Sequence, residues 1–138
     1  MRKNGFSLVE LVVAMGIVGI LAAIAIPAYT SYTRTANRTD ATRTMTIDAQ
    51  ALERCYSQAF TYVGCATAPA GASTSAQGYY TVTIAVPSAS AFTITATPLK
   101  APQTTDSACA TFTLNNAGTQ GATDSGSVAN TQTCWGST

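Results

Sequence analysis

The sequence contains no histidine and carries little charge. Only 9% of its 138 residues are charged, against about 25% in typical globular domains. The commonest general base and metal ligand is therefore missing. No P-loop, GxGxxG or CxxC motif is present. The carboxylates are scattered, and Asp106 with Asp124, in Ser/Thr-rich loops, would make only a weak calcium site. We therefore expect no enzymatic activity, no cofactor and no bound metal.

The few charges nearly balance, with seven Lys and Arg against six Asp and Glu. This balance gives no broad attraction for nucleic acid. Arg34 and Arg38 are one helical turn apart and Arg43 is nearby, so a basic stripe could contact DNA phosphates. We favour pairing inside an assembly, or simple solvation, for these three side chains.

The chain has four cysteines, an even number that indicates two disulfides and an oxidising compartment. Four cysteines allow three pairings. The pairs Cys55–Cys65 and Cys109–Cys134 are the local choice, since they close the shorter loops. On the chain-entropy account each would stabilise the fold by roughly 3 kcal/mol.

A long apolar run lies near the N-terminus, within MRKNGFSLVELVVAMGIVGILAAIAIPAY. From Phe6 to Ile26 the only charge is Glu10, and a helix of this length spans roughly 30 Å, the thickness of a bilayer core. An ordinary signal peptide has a shorter apolar region followed by a cleavage site. A plain membrane anchor leaves the carboxylate unexplained, because a charge in such a segment is costly.

The residues GFSLVE at 5–10, followed by the apolar run and Pro27, resemble the class III signal of type IV prepilins. The resemblance implies that a prepilin peptidase cleaves between Gly5 and Phe6 and methylates the new amine. The apolar helix would then stay in the mature protein. Glu10 would pair with the terminal ammonium of a neighbouring subunit, since either charge alone is costly in a low-dielectric setting.

Gly16, Gly19 and Pro27 are the remaining predicted assembly residues in this helix. Glycine weakens a helix by about 1 kcal/mol and proline by about 3 kcal/mol. Small residues also let helices pack closely in a membrane. In filaments similar to those that the resemblance implies, this segment loses helical structure on leaving the bilayer. We expect Pro27 to kink the helix.

The rest of the chain predicts a helix packed on a sheet. One long helix is expected from about Ser7 to Gln58, and its second half carries an apolar stripe of Ala41, Met45, Ala49, Leu52, Tyr56 and Ala59. The opposite faces carry Arg34, Arg38, Arg43, Asp48 and Glu53. Apolar residues alternating with Thr predict antiparallel strands at 79–86, 92–97 and 111–114, with a fourth at Thr131–Trp135.

The fold class is α+β: a long N-terminal helix, transmembrane in its first half and amphipathic in its second, packed on a small antiparallel sheet of about four strands. Segments such as LERCY, GYYTVTI, FTITATP and ACATFTLNNAG resemble PilE-like pilins of Gram-negative bacteria. The expected regions are a cleaved leader (1–5), a filament-core helix (6–27), an amphipathic helix (28–59), and a part holding the loop, sheet and C-terminal disulfide (60–138).

The resemblance implies a structural subunit of a type IV pilus, major or minor, that supports adhesion, twitching motility or DNA uptake. Its partners would be other pilin subunits, a prepilin peptidase, inner-membrane assembly machinery and the membrane itself. It would lie in the inner membrane with a periplasmic C-terminal domain, and then in the extracellular filament. A DNA-binding minor pilin for transformation is one alternative, although only Lys100 supplies a cation on the sheet. A type II secretion pseudopilin is the other.

Overall fold

The structure, a computed structural model, describes residues 7–65 and 72–136. The chain divides between Thr33 and Arg34 into two units. Helix α1 runs from Leu8 to Ala59, within one residue of the prediction at each end. Pro27 lies inside this helix, and the Thr30 hydroxyl donates to the carbonyl of Ile26 at 3.0 Å. The kink expected at Pro27 stays a prediction.

The second unit contains a five-stranded antiparallel sheet in which each strand pairs with the next along the chain. Its strands are β1 (Ser73–Thr74), β2 (Tyr80–Ser88), β3 (Ala91–Pro98), β4 (Thr111–Asn115) and β5 (Gln120–Thr123). The register places Ile84 opposite Ile94, and Phe112 opposite both Ala96 and Ala122. Alternating apolar side chains therefore meet on one face of the sheet.

The strand predicted at the C-terminus is wrong. Thr131–Trp135 is a short helix, α2, and the edge strand beside β4 is β5 instead. The Trp135 ring nitrogen donates to the carbonyl of Gly121 at 2.8 Å, and Asn130 Nδ2 donates to the carbonyl of Ala108 at 3.0 Å. These contacts pack α2 against the sheet, but α2 does not pair with any of the described strands. Strand β1 was also missed, within the predicted loop 66–77, of which residues 66–71 lie outside the described residues.

The core lies between the predicted apolar stripe of α1 and the sheet. Ala41, Met45 and Leu52 are buried, and they form one cluster with side chains of the sheet: Tyr80, Val82, Phe92, Ile94, Ala96, Phe112, Leu114 and Ala122. Burying a large apolar side chain contributes about 1.5–3 kcal/mol. The stripe is confirmed as far as Tyr56, which packs against this cluster, but Ala59 is exposed.

Both predicted disulfides are present, each with Cα atoms 5.7 Å apart. Cys55–Cys65 ties the end of α1 to the turn that follows it. Cys109–Cys134 ties α2 to the segment before β4. The prediction from local spacing is therefore confirmed, and each bond closes a short loop.

Candidate functional site

The first half of α1 presents an apolar surface that is exposed among the residues the structure describes. Its most apolar 18-residue window has a mean hydropathy of 2.6 and is 0% buried. Leu8, Ile20 and Ile24 are each about two-thirds exposed or more. By length and composition this helix could cross a membrane. Soluble monomers rarely expose an apolar patch of this size, which makes this surface a candidate for contact with lipid or with other protein chains.

The predicted assembly residues lie on this helix. Glu10 is exposed in the first turn, and its carboxylate has no hydrogen-bond or ion-pair partner in the described part of the chain. A Cβ placed at Gly16 or Gly19 would have open space within 4 Å. No close contact among the described residues therefore requires glycine at these two positions. Gly5 and Phe6, the predicted processing residues, lie outside the described residues.

Two of the three arginines considered for a basic stripe bind other residues of the second unit, which is called the body below and comprises Arg34–Thr138. The guanidinium of Arg38 donates to both oxygens of Asp106, at 2.8 and 2.9 Å, and to the carbonyl of Thr133 at 3.3 Å. The two charged side chains are only 11% and 4% exposed. Arg34 donates to the Thr105 hydroxyl at 2.7 Å. These two arginines are therefore paired, as favoured over a DNA-contacting stripe, but within the chain rather than between subunits. They hold the segment before β4 onto α1.

The same segment reaches the helix through Gln103, which is fully buried. Its Nε2 donates to the carbonyl of Arg34 at 3.2 Å and to the Tyr80 hydroxyl oxygen at 2.6 Å. Burial raises the pKa of Tyr80 to about 12. This network explains why a chain with few charges places polar side chains along 34–38 of α1.

Asp40 anchors the segment 75–79 to α1, and sequence reasoning missed it. Its carboxylate, 4% exposed, accepts hydrogen bonds from the Ser75 hydroxyl, from the backbone of Gln77 at 2.9 Å and from the backbone of Tyr79 at 3.3 Å. Ser75 in turn accepts the N–H of Tyr80 at 2.9 Å. The sequence signal for a buried Asp40 was its position directly before Ala41, which belongs to the buried apolar stripe. A carboxylate at such a position needs hydrogen-bond donors.

Three cations remain beside this scaffold. Arg43 and Arg54 are exposed, and their side chains have no hydrogen bond or ion pair with any described residue. Lys100 lies 4.7 Å from the centre of the Tyr79 ring and donates to the carbonyl of Gln77 at 3.3 Å. The body therefore offers few cations to an anionic partner.

The two carboxylates considered for calcium have other partners. Asp106 is bound by Arg38 through both oxygens. One oxygen of Asp124 accepts the backbone N–H groups of Gly126 and Val128, at 2.8 and 2.9 Å, in a tight turn. Among the described residues no group of three potential metal ligands occurs. The calcium alternative has no support in this geometry.

A cleft of about 660 Å³ opens between the last turns of α1 and the turn that joins β4 to β5. Phe92 and Leu114 form its floor, and its rim includes Gln50, Glu53 and Arg54. Glu53 also accepts the Tyr62 hydroxyl at 2.8 Å. The cleft therefore combines an apolar floor with the cation of Arg54, unpaired among the described residues, and the carboxylate of Glu53, which is hydrogen-bonded to Tyr62.

The sequence matches two known families, which together reach from the N-terminus to β4. Residues 27–113, more than half of the chain, match the family described as "Type IV minor pilin ComP, DNA uptake sequence receptor". The chain belongs to this type IV pilin family. Residues 1–26 of the pilin match the "Prokaryotic N-terminal methylation motif".

Curated relatives of this pilin share its N-terminal part. It is 46% identical over 54 residues to "Prepilin peptidase-dependent protein D" of Escherichia coli K12, a match covering 39% of this chain and 37% of that protein. It is 51% identical over 39 residues to "Type IV major pilin protein PilE1" of Neisseria gonorrhoeae, covering 28% and 24%. A "Fimbrial protein" of Neisseria meningitidis MC58 gives the same identity over 28% and 23%. The matches thus span well under half of each relative.

Proposed function

We propose that this chain is a minor pilin, a structural subunit that polymerises into a type IV pilus through the first half of α1. The exposed apolar surface of this helix carries the proposal. In the inner membrane, lipid covers that surface, and the body lies on the periplasmic side. In the filament, helices of other pilin subunits cover it, and the body is extracellular. The family match favours this role over that of a secretion pseudopilin.

Assembly begins with processing by a prepilin peptidase between Gly5 and Phe6, and the match to the methylation motif supports this step. The new ammonium of Phe6 then pairs with Glu10 of a neighbouring subunit. The exposed carboxylate of Glu10 has no partner among residues 7–65 and 72–136, which leaves it free for that role. An unpaired charge in an apolar setting costs several kcal/mol, so this pairing favours entry into the filament.

Electron microscopy of sheared filaments tests this assignment. Gold-labelled antibodies against the body should bind pili at sparse positions, as expected for a minor subunit. Filaments from a strain lacking the chain serve as the control for antibody specificity. Dense labelling along the whole filament would make the chain a major pilin. Recovery of the chain only in the membrane fraction would contradict a role as a pilus subunit.

We also propose that the assembled body binds double-stranded DNA for uptake. The observation that favours this second role is the match over residues 27–113 to a family described as a DNA uptake sequence receptor. Arg43 and Arg54 are the cations left free for phosphate contacts within the described part of the body. Fluorescence anisotropy of a labelled duplex with the full-length chain in detergent micelles tests it. Absence of binding at low salt would contradict it.

A further inference from the structure

Phe60 has an unusual backbone conformation for an aromatic residue. It follows the last residue of α1 with a φ of 53°, in the left-handed region, and its N–H donates to the carbonyl of Tyr56 at 2.8 Å. Glycine usually occupies this position after a helix, because a Cβ is crowded there. The Phe60 side chain is also 79% exposed. Backbone strain and exposed apolar surface together point to a contact outside the chain.

The turn that carries this ring is firmly held. The disulfide Cys55–Cys65 encloses it, and the backbone N–H of Tyr62 donates to the carbonyl of Ala89 at 2.8 Å. The ring of Tyr62 stacks on Tyr56 at 4.4 Å and meets Phe92 edge-on at 5.0 Å. Phe60 therefore projects from a rigid base, so little conformational freedom is lost when it binds a partner.

The charges of the body indicate what such a ring could add to DNA binding. Most proteins gain DNA affinity by neutralising phosphates, with a salt slope of about −0.9 for each phosphate contacted. Arg34 and Arg38 are bound inside the body, and Lys100 lies over Tyr79. Arg43 and Arg54, the two cations without a partner among residues 7–65 and 72–136, would give a slope of only about −2. A contact with the bases themselves would supplement so weak an electrostatic attraction.

We propose that Phe60 is a DNA-contacting residue whose ring inserts at a base step of the duplex. Proteins that bend DNA use apolar side chains in this way, and they partly unstack the step they enter. Phe60 fits this use because its ring is exposed and rigidly mounted, and because the segment 60–65 contains no acidic residue. Glu53, the carboxylate that contacts this segment, is hydrogen-bonded to Tyr62. The inference rests on the proposed DNA-binding role and names the residue that carries the apolar part of that contact.

Substitution by glycine separates binding from folding at this position. Phe60→Gly removes the ring and also relieves the left-handed strain, so the urea midpoint of the full-length chain should not fall. Its affinity for a short fluorescein-labelled duplex pool of random sequence should drop about tenfold or more. Phe60→Trp should keep the affinity. Val128→Ala, at an apolar side chain that is 63% exposed elsewhere on the body, is the matched control and should bind like the parent.

A duplex containing 2-aminopurine reports the insertion directly. Its fluorescence should rise on binding the parent chain, because the base unstacks, and should rise much less with Phe60→Gly. If the parent chain binds no duplex at low salt, the proposed DNA-binding role itself fails, and this inference fails with it. If the parent binds and Phe60→Gly binds equally well, only this inference is overturned. Unchanged DNA binding with loss from sheared pili would assign Phe60 to a contact with another pilin.

Discussion

Replacing Arg38 by alanine should destabilise the body much more than replacing Arg43, its exposed neighbour on α1. Arg38 and Asp106 are 11% and 4% exposed, and two short hydrogen bonds join them. Removing one partner of such a pair leaves the other charge buried, at a cost of roughly 3–5 kcal/mol. The carbonyl of Thr133 also loses a donor. Arg43→Ala should change stability by no more than about 0.5 kcal/mol.

Denaturation of the full-length chain in detergent micelles would measure the difference. Near-ultraviolet circular dichroism reports the packed aromatic side chains of the body while the micelle covers the apolar helix. For a domain near this size, about 1 kcal/mol shifts the melting temperature by roughly 4–8 °C. Arg38→Ala should therefore melt on the order of 12–40 °C below the parent. Arg43→Ala should melt close to the parent.

A double-mutant cycle identifies the cause of the loss. If the buried pair is responsible, the variant carrying both Arg38→Ala and Asp106→Ala should be less destabilised than the sum of the two single variants, by at least about 1 kcal/mol. A cost for Arg38→Ala equal to that for Arg43→Ala would refute the reasoning. Arg38 would then be a solvated side chain, and the basic stripe that was disfavoured from sequence would have to be considered again.

Three further predictions concern assembly, the disulfides and pH. Glu10→Ala should accumulate in the membrane with its disulfides intact and enter sheared pili poorly, since it leaves an ammonium unpaired; equal entry would contradict the pairing. Non-reducing peptide mapping should recover the pairs Cys55–Cys65 and Cys109–Cys134, and a Cys65–Cys109 peptide would contradict them. Burial raises the pKa of Tyr62 and Tyr80 to about 12, above about 10 in the unfolded chain. Their contribution to stability should therefore be full below pH 10 and lost between about pH 10 and 12, and a urea midpoint constant over that range would refute this.

Local patterns predicted most of the fold. The stripe at helical spacing predicted α1 and its buried face, and the alternation of apolar residues with Thr predicted β2, β3 and β4. Both disulfides followed from short spacing. These features depend on residues that are close in the chain, which is why one sequence was sufficient.

Strand β5 and helix α2 depend on distant contacts that the sequence does not display. The strand QGAT has a weak strand pattern and forms because it pairs with β4. A Cβ at Gly121 would lie 2.5 Å from the Thr113 hydroxyl oxygen, so a side chain there would force Thr113 to shift. The segment Thr131–Trp135 was expected to be a strand tied back by Cys134, but the contact of the Trp135 ring nitrogen with Gly121 belongs to the tertiary fold.

The partners of the polar side chains of α1 could not be predicted for the same reason. Arg38 meets Asp106 across 68 positions of the chain, and Asp40 meets Ser75 across 35. Helical spacing alone indicates only that Arg34 and Arg38 share a face, and is compatible with pairing inside an assembly or with solvation. Only the three-dimensional structure, which places the segment 103–106 against α1, shows that these two arginines join that segment to the helix.

The mass of the chain recovered from sheared and purified pili tests the central claim most directly. A pilus subunit processed as proposed should begin at Phe6, carry one methyl group on its new amine, and keep the whole apolar helix. Tandem mass spectrometry of the N-terminal peptide would locate the methyl group. An N-terminus at Ala28, after loss of the apolar segment, would contradict the account, because the surface that drives polymerisation would then be absent from the filament.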